Sequence, residues 1–335
     1  MKLRKLRILT LLLRTRQGWR LVKCVCAAIG VFLLSGKVSA KRPLGRFLAS
    51  WLGVMSMFYG PLGGDARPNW DRYDEVYADW FEGLVKYIHS YFPTKLELQG
   101  DLKKGQNYIF ASHPHGAMGI HGGYLHGVKH KEMEEAVPRS KRRLLAASVH
   151  FVLPIYRDFA MTWGAVDASY STAKECLQHG LSIELMPGGE REMLMARYGK
   201  DSIFVGHLGF CRLALKCGVP IVPCYCFGET STYHTSSLLL SWRQRISRTF
   251  RIAMPLVYGD DSFFLGPIKT PLTIVVGDPI PVEQNHNPSH QEVVDLHAKY
   301  LSALTNLFEK NKKRFGYNHE LDILHEDVVK TRSKL

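Results

Sequence analysis

His113-Pro114-His115-Gly116 sets two imidazoles two residues apart, directly after the apolar run Tyr108-Ile109-Phe110-Ala111. Such a run, bounded by polar segments, reads as a buried strand. A reactive group just past a strand end stands where α/β folds gather their sites. Histidine titrates closest to neutral pH, so this pair suits proton transfer, with one ring as general base. Pro114 restricts the backbone between the rings, and Gly116 lets a substrate come close.

A second cluster, Met186-Pro187-Gly188-Gly189-Glu190-Arg191-Glu192, follows another strand candidate, Leu181–Leu185. Gly188 and Gly189 permit a sharp turn whose N–H groups suit an oxyanion or a phosphate. A carboxylate from this cluster, brought to His113 or His115, would fix the ring's tautomer and stabilise its protonated form. The alternative is a solvated first helical turn, where acids complement the dipole. A third cluster runs from Gly206 and His207 through Gly209-Phe210-Cys211-Arg212 to Phe227-Gly228-Glu229. It reads as a helix, a glycine stop and a strand, with Arg212 and Glu229 as further polar candidates.

Several other chemistries lack their signatures. The chain has no G-x-S-x-G elbow, Walker loop, G-x-G-x-x-G or H-E-x-x-H. This argues against a covalent serine hydrolase, a nucleotide-driven enzyme and a zincin. His113 and His115 have the spacing of two metal ligands, but no third ligand lies nearby in sequence, so no metal is expected. His121, His126 and His130 follow at loose helical spacing and read as surface or packing residues. The seven cysteines include no C-x-x-C, are odd in number and lie mostly in apolar runs, so no disulfide framework is expected.

The elements that must position these groups alternate. Strands are expected at Tyr108–Ala111, Leu181–Met186, Ile221–Phe227 and Leu272–Val276, with helices around Ser171–Leu177 and Gly209–Lys216 between them. That order implies an α/β domain with a mainly parallel sheet flanked by helices. The segment from Trp70 to Tyr91 shows helical apolar spacing and is expected to pack on the domain or on a membrane surface. Ser289 and Glu292 form a capping box for a last helix that Gly316 stops.

At 335 residues and 46% hydrophobic content, the chain buries a sizeable core. Its formal charge is +14, yet residues 1–64 hold twelve Lys or Arg and no Asp or Glu, which leaves the rest at +2. The excess thus belongs to the N-terminal segment rather than to a nucleic-acid groove, and no nucleic acid is expected as partner. Basic residues flanking apolar ones point to an anionic membrane face. Two apolar stretches stand there, Leu21–Gly36 and Phe47–Gly64. Sixteen helical residues reach roughly 24 Å, short of the ~30 Å hydrocarbon core. A membrane-embedded helical hairpin fits better than a single span. Val38-Ser39-Ala40 also has the look of a signal-peptide cleavage site, but Lys37 and the second apolar stretch argue against one. The expected organisation is an anchoring segment, 1–64, and a catalytic domain, 65–335.

Taken together, these residues resemble the type-2 diacylglycerol acyltransferase family, which includes monoacylglycerol and wax-alcohol acyltransferases. The matching blocks run in order from Tyr91-Phe92-Pro93 and His113-Pro114-His115-Gly116 to Pro154-Ile155-Tyr156-Arg157 with Gly164. They continue through Pro187-Gly188-Gly189 with Glu192, and Gly209-Phe210 with Arg212, Gly218, Val222, Pro223 and Phe227-Gly228-Glu229. Val276-Gly277-Asp278-Pro279-Ile280 and Lys313-Arg314-Phe315-Gly316 complete the set. The Pro-Gly-Gly-Glu-Arg stretch is distantly similar to a glycerolipid-acyltransferase block, so a fold like that of those enzymes is implied. One departure stands out: His207 occupies a position where the family usually carries Arg.

The resemblance implies transfer of a fatty acyl group from acyl-CoA to a lipid hydroxyl, with acyl-CoA as substrate and no cofactor. Diacylglycerol is the expected acceptor, with monoacylglycerol or a wax alcohol as alternatives. A non-catalytic membrane lipid-binding protein is the alternative of another class. His113 and His115 would supply the base and Glu192 the orienting carboxylate, while N–H groups at Gly116, Gly188 and Gly189 would face the oxyanion. Arg157, Arg191, Arg212 and the run Arg139-Ser140-Lys141-Arg142-Arg143 are candidates for the coenzyme A phosphates, with a solvated loop as the plain alternative for the run. The implied setting is the endoplasmic reticulum membrane with the catalytic domain facing the cytosol, or a lipid droplet. Membrane lipids are then partners, and a homo-oligomer stays open.

Overall fold

The computed structural model describes residues 70–71, 73–151, 156–250, 253–259 and 266–324. The expected membrane hairpin and segment 1–64 lie outside the described residues. Among those described, no helix is long and apolar enough to cross a membrane. The chain divides into two compact units, residues 1–69 with 148–160, and residues 70–147 with 161–335. Of the first, the described part is a short 3-10 turn at Ser148–Phe151 and the start of helix Tyr156–Trp163.

The larger unit is built on a seven-stranded sheet. In chain order its strands are β1 (Thr94–Leu98), β2 (Ile109–His113), β3 (Arg142–Ala146), β4 (Ala165–Asp167), β5 (Ser182–Leu185), β7 (Ile221–Phe227) and β10 (Leu272–Val276). β6 (Ser202–Phe204) pairs with β11 (Asp322–Leu324), and β8 (His234–Thr235) with β9 (Val257–Tyr258), outside that sheet. The order across the large sheet is β1-β10-β7-β2-β5-β3-β4. Every pairing is parallel except β10 against β7. The expected mainly parallel sheet is therefore present, and the four strands expected from sequence all form.

Helices connect and cover the strands: α1 (Glu75–Tyr91), α2 (Ile120–Gly127), α3 (Lys131–Ala136), α4 (Tyr156–Trp163), α5 (Tyr170–Gln178), α6 (Gly189–Met195), α7 (Gly209–Cys217), α8 (Leu240–Phe250) and α9 (His290–Lys312). Ser289 accepts from the Glu292 N–H and Glu292 from the Ser289 N–H, the reciprocal cap expected at the start of α9.

Strands β2, β7 and β10 are buried along their whole length, as parallel strands covered on both faces must be. The side-chain period of two sorts them. Ile109 and Ala111 join Ile183, Tyr225, Val275, Tyr300 and Phe308 in one core. Phe110 joins Val222, Cys224, Ile274 and Leu125 in the core of the other face. The same alternation sends Ser112 and His113 to opposite sides of the sheet. The five described cysteines are free.

Candidate active site

Parallel pairing brings the C-terminal ends of β2, β5 and β7 to one edge of the sheet. That edge carries His113, the turn after Leu185 and Gly228-Glu229, so three clusters distant in sequence meet there. The peptide between His113 and Pro114 is cis.

Glu192 is the centre of the arrangement. It lies in the first turn of α6 and is buried, unlike the half-buried Glu190 and Arg191 beside it. His113 Nδ1–H donates to its carboxylate, 2.9 Å from Oε2 and 3.2 Å from Oε1. The His115 N–H donates to Oε1, and the Phe204 N–H from β6 donates to Oε2 at 2.8 Å. Burial pushes the Glu192 carboxyl upward, but the His113 ring and these donors outweigh it and hold the group below the usual carboxylate range. The ionised carboxylate fixes His113 with its proton on Nδ1 and leaves Nε2 with a lone pair. Tyr300 backs the ring, centroids 6.2 Å apart, and anchors its hydroxyl on the Ala111 carbonyl at 3.3 Å.

The glycine turn is shaped around that carboxylate. Gly188 has an ordinary backbone, φ −66° and ψ −30°, so conformation does not require glycine there. Space does: a Cβ at this position would overlap the Glu192 side chain. The Gly189 N–H donates to the Met186 carbonyl at 3.1 Å and closes the turn, which commits it internally rather than to an oxyanion. His207, at the position where Arg is usual, donates from Nδ1 to the Pro187 carbonyl at 2.8 Å and braces the same turn.

His115 is half-buried. Its Nδ1–H points to the Gly116 carbonyl at 3.3 Å, which also leaves Nε2 as the basic nitrogen. Burial lowers its pKa below that of an ordinary histidine, against the opposing pull of Glu192.

A second glutamate–histidine pair was not foreseen. Glu229, just past β7, accepts from the Ile120 N–H at 2.9 Å, the His121 N–H at 3.0 Å and His121 Nδ1–H at 3.0 Å. His121 Nε2 in turn accepts from the Ser112 hydroxyl at 3.0 Å. All three side chains are buried. Gly116 has φ +61°, and a Cβ there would meet Glu229 Cγ at 2.7 Å. Glu229 thus holds the turn from Gly116 and the start of α2 together. His121 is a paired core histidine, not a surface one. His121, Glu229 and Cys226 bring potential metal-ligand atoms within 4.8 Å of one another. Both His121 nitrogens and both Glu229 oxygens already hold hydrogen bonds, so the donor set is that of a closed network rather than a metal centre.

The arginine run does not form a phosphate site, nor a solvated loop. Arg142 and Arg143 open β3, and all three arginines are buried. Arg139 is held by Asp79, by Glu82 at 3.0 Å and by the Gly127 carbonyl. Arg142 pairs with Glu134 at 2.7 Å and Glu184 at 3.1 Å. Arg143 donates to the carbonyls of Trp70, Ser140 and Arg142. A buried guanidinium needs such partners, and the one donor they leave over, Arg142 Nε, is itself buried. His126 also belongs here, with Nδ1–H on Glu184 at 2.9 Å. Among the other arginines, Arg191 is half-buried beside the site with its guanidinium over the Phe204 ring, 5.2 Å from the centroid. Arg212 lies half-buried on α7. Arg157 is buried in α4, in the smaller unit.

The sequence profile of the family described as diacylglycerol acyltransferase matches residues 50–325. The chain belongs to the diacylglycerol acyltransferase family. Membership makes it an acyltransferase, and the family match spans every cluster described above. Among its relatives is diacylglycerol O-acyltransferase 2 of Xenopus laevis, 32% identical over 270 residues, covering 76% of this chain and 73% of the relative. Another is 2-acylglycerol O-acyltransferase 1 of Mus musculus, 32% identical over 275 residues, covering 76% of this chain and 78% of the relative. A solved structure, the 1-acyl-sn-glycerophosphate acyltransferase of Thermotoga maritima, aligns at a TM-score of 0.43 with 14% identity, covering 93% of this chain and 99% of that one.

Proposed function

We propose that this acyltransferase moves a fatty acyl group from acyl-CoA to the free hydroxyl of diacylglycerol, at the endoplasmic reticulum membrane with its catalytic domain facing the cytosol. The observation that carries the reading is the hydrogen bond from His113 Nδ1–H to the buried, ionised Glu192. In this mechanism Nε2 of His113 takes the hydroxyl proton as the alcohol oxygen attacks the thioester carbonyl. Glu192 supports the imidazolium that forms, and N–H groups at Gly116 and Gly188 face the tetrahedral oxyanion. Collapse breaks the C–S bond and expels the coenzyme A thiolate, and the imidazolium returns its proton to it. No acyl-enzyme and no cofactor enter.

The two named relatives act on different acceptors, diacylglycerol and 2-acylglycerol. A monoacylglycerol or wax-alcohol acceptor is therefore the second reading. The test is expression in cells that lack their own triacylglycerol and wax synthesis, with labelled acyl-CoA and chromatography of the products. Triacylglycerol as the labelled product supports diacylglycerol as acceptor, whereas diacylglycerol or wax ester overturns it. His113→Ala and Glu192→Ala made in parallel test the base, and full activity in both removes it.

A further inference from the structure

Helix α1 is apolar on two sides. Ala78, Phe81 and Val85 face the core. On the outside, Val76, Trp80, Leu84, Tyr87 and Tyr91 recur every three or four residues, with Ile88 beside Tyr87, along almost the full length of the 17-residue helix. That spacing aligns them in one stripe, about 25 Å long at 1.5 Å per residue. They are exposed: Val76 by 82%, Tyr87 by 77% and Trp80 by 69%. Single exposed apolar residues are ordinary on a soluble domain, but six in a contiguous row are not.

We infer that this outer stripe of α1 lies on a lipid surface, as a docking face of the folded domain separate from the N-terminal segment. Three features favour lipid over a protein partner. The stripe mixes aliphatic side chains with Trp80, Tyr87 and Tyr91, whose rings match the boundary between headgroups and acyl chains. The acids on the helix flank are neutralised: Glu82 pairs with Lys86 at 2.8 Å, and Asp79 with Lys129 at 2.7 Å and with Arg139. An anionic headgroup layer therefore meets no unpaired carboxylate row there. Finally, the chain just before α1 is the basic, acid-free stretch of residues 1–64 with its apolar runs. Ten residues, 65–74, separate it from α1, a reach of at most about 35 Å when extended. Any attraction of that stretch to anionic lipid holds the stripe near the same surface.

The experiment uses the full chain in phosphatidylcholine–phosphatidylserine vesicles, with tryptophan fluorescence as the readout. The chain has six tryptophans, so the Trp80 emission is taken as the difference between wild type and Trp80→Phe. Trp80 is exposed, and Phe retains the ring, so the fold is preserved. Brominated acyl chains are expected to reduce the Trp80 component about twofold or more, while aqueous acrylamide leaves most of it. A second reporter, Tyr87→Trp in the Trp80→Phe background, is expected to respond alike. If acrylamide reaches both reporters and bromolipid does not, the stripe faces water and the inference fails. If neither quencher reaches them, the stripe is covered by protein, either residues 1–69 or a second copy, and the inference also fails. None of these outcomes depends on acyl transfer, so they leave the acceptor and base assignments untouched.

Discussion

Two buried glutamate–histidine pairs stand at the ends of neighbouring strands, with nearly equal contacts: 2.9 Å for Glu192–His113 and 3.0 Å for Glu229–His121. Adjacent residues of β2 feed them, His113 on one face of the sheet and Ser112 on the other. The difference lies at the far nitrogen. Nε2 of His121 is occupied by the Ser112 hydroxyl. Among the described residues nothing donates to or accepts from Nε2 of His113. Ser112, His121 and Glu229 have the hydrogen-bond order of a hydrolase triad, yet the serine sits buried within a strand. The same two side-chain types thus build a closed brace on one face and an open base on the other. What separates them is whether the imidazole has a free lone pair.

Substitutions test that contrast. The largest effect on rate is expected from His113→Ala, a fall in kcat of about a thousandfold, with a lower melting midpoint as well because the buried Glu192 loses its ring partner. His115→Ala, assayed beside it, is expected to cost about tenfold; the reverse ranking would move the base to position 115. Glu192→Gln keeps the shape but removes the charge that supports the imidazolium, and a loss of roughly 10- to 100-fold in kcat is expected. For the brace the balance inverts. Glu229→Ala leaves His121 and two backbone N–H groups without their acceptor, and a stability loss of about 3–5 kcal/mol is expected in thermal or denaturant unfolding. A variant at 229 that unfolds normally yet loses a thousandfold in kcat would erase the distinction between the pairs.

The smallest effect concerns pH. Burial lowers His89 and His130 to about 4. Such histidines favour the folded state fully above the unfolded value of about 6.5, and that contribution is lost as pH falls from there towards 4, because the unfolded chain binds the protons first. Glu192 has a depressed pKa, so its contribution persists lower, above the ordinary carboxylate range, and is lost on further acidification. The melting midpoint is expected to decline from pH 6.5 to 4 and more steeply below. Replacing both histidines with Asn is expected to flatten the upper part only.

The sheet was legible because β2 and β7 at its centre are mostly apolar, and parallel pairing then brings His113, Gly188 and Glu229 to one edge. β3 escaped notice because it begins with Arg142 and Arg143, whose charges read as solvent-facing until Glu134 and Glu184 are placed against them. A signal was present: Glu184 lies in the middle of an apolar strand, and a carboxylate there requires a cationic or donor partner. The roles of Gly188 and Gly189 were out of reach. Sequence shows two residues free to turn, not that one leaves room for a side chain four positions on and the other closes the turn on Met186. The residues alone left Glu190 and Glu192 open; the family resemblance pointed to Glu192, and α6 turns that side chain inward.

The contact between positions 188 and 192 makes them a locked set in any search of sequence space. An acid long enough to touch the His113 ring forbids every residue but glycine four places earlier. A library that varies the two positions together should return glycine at 188 whether glutamate or a shorter side chain stands at 192, because the Cβ of residue 192 itself lies 2.6 Å from where a Cβ at 188 would be. Shortening the side chain at 192 frees nothing at 188, so drift through this turn keeps its glycine whatever happens four places on.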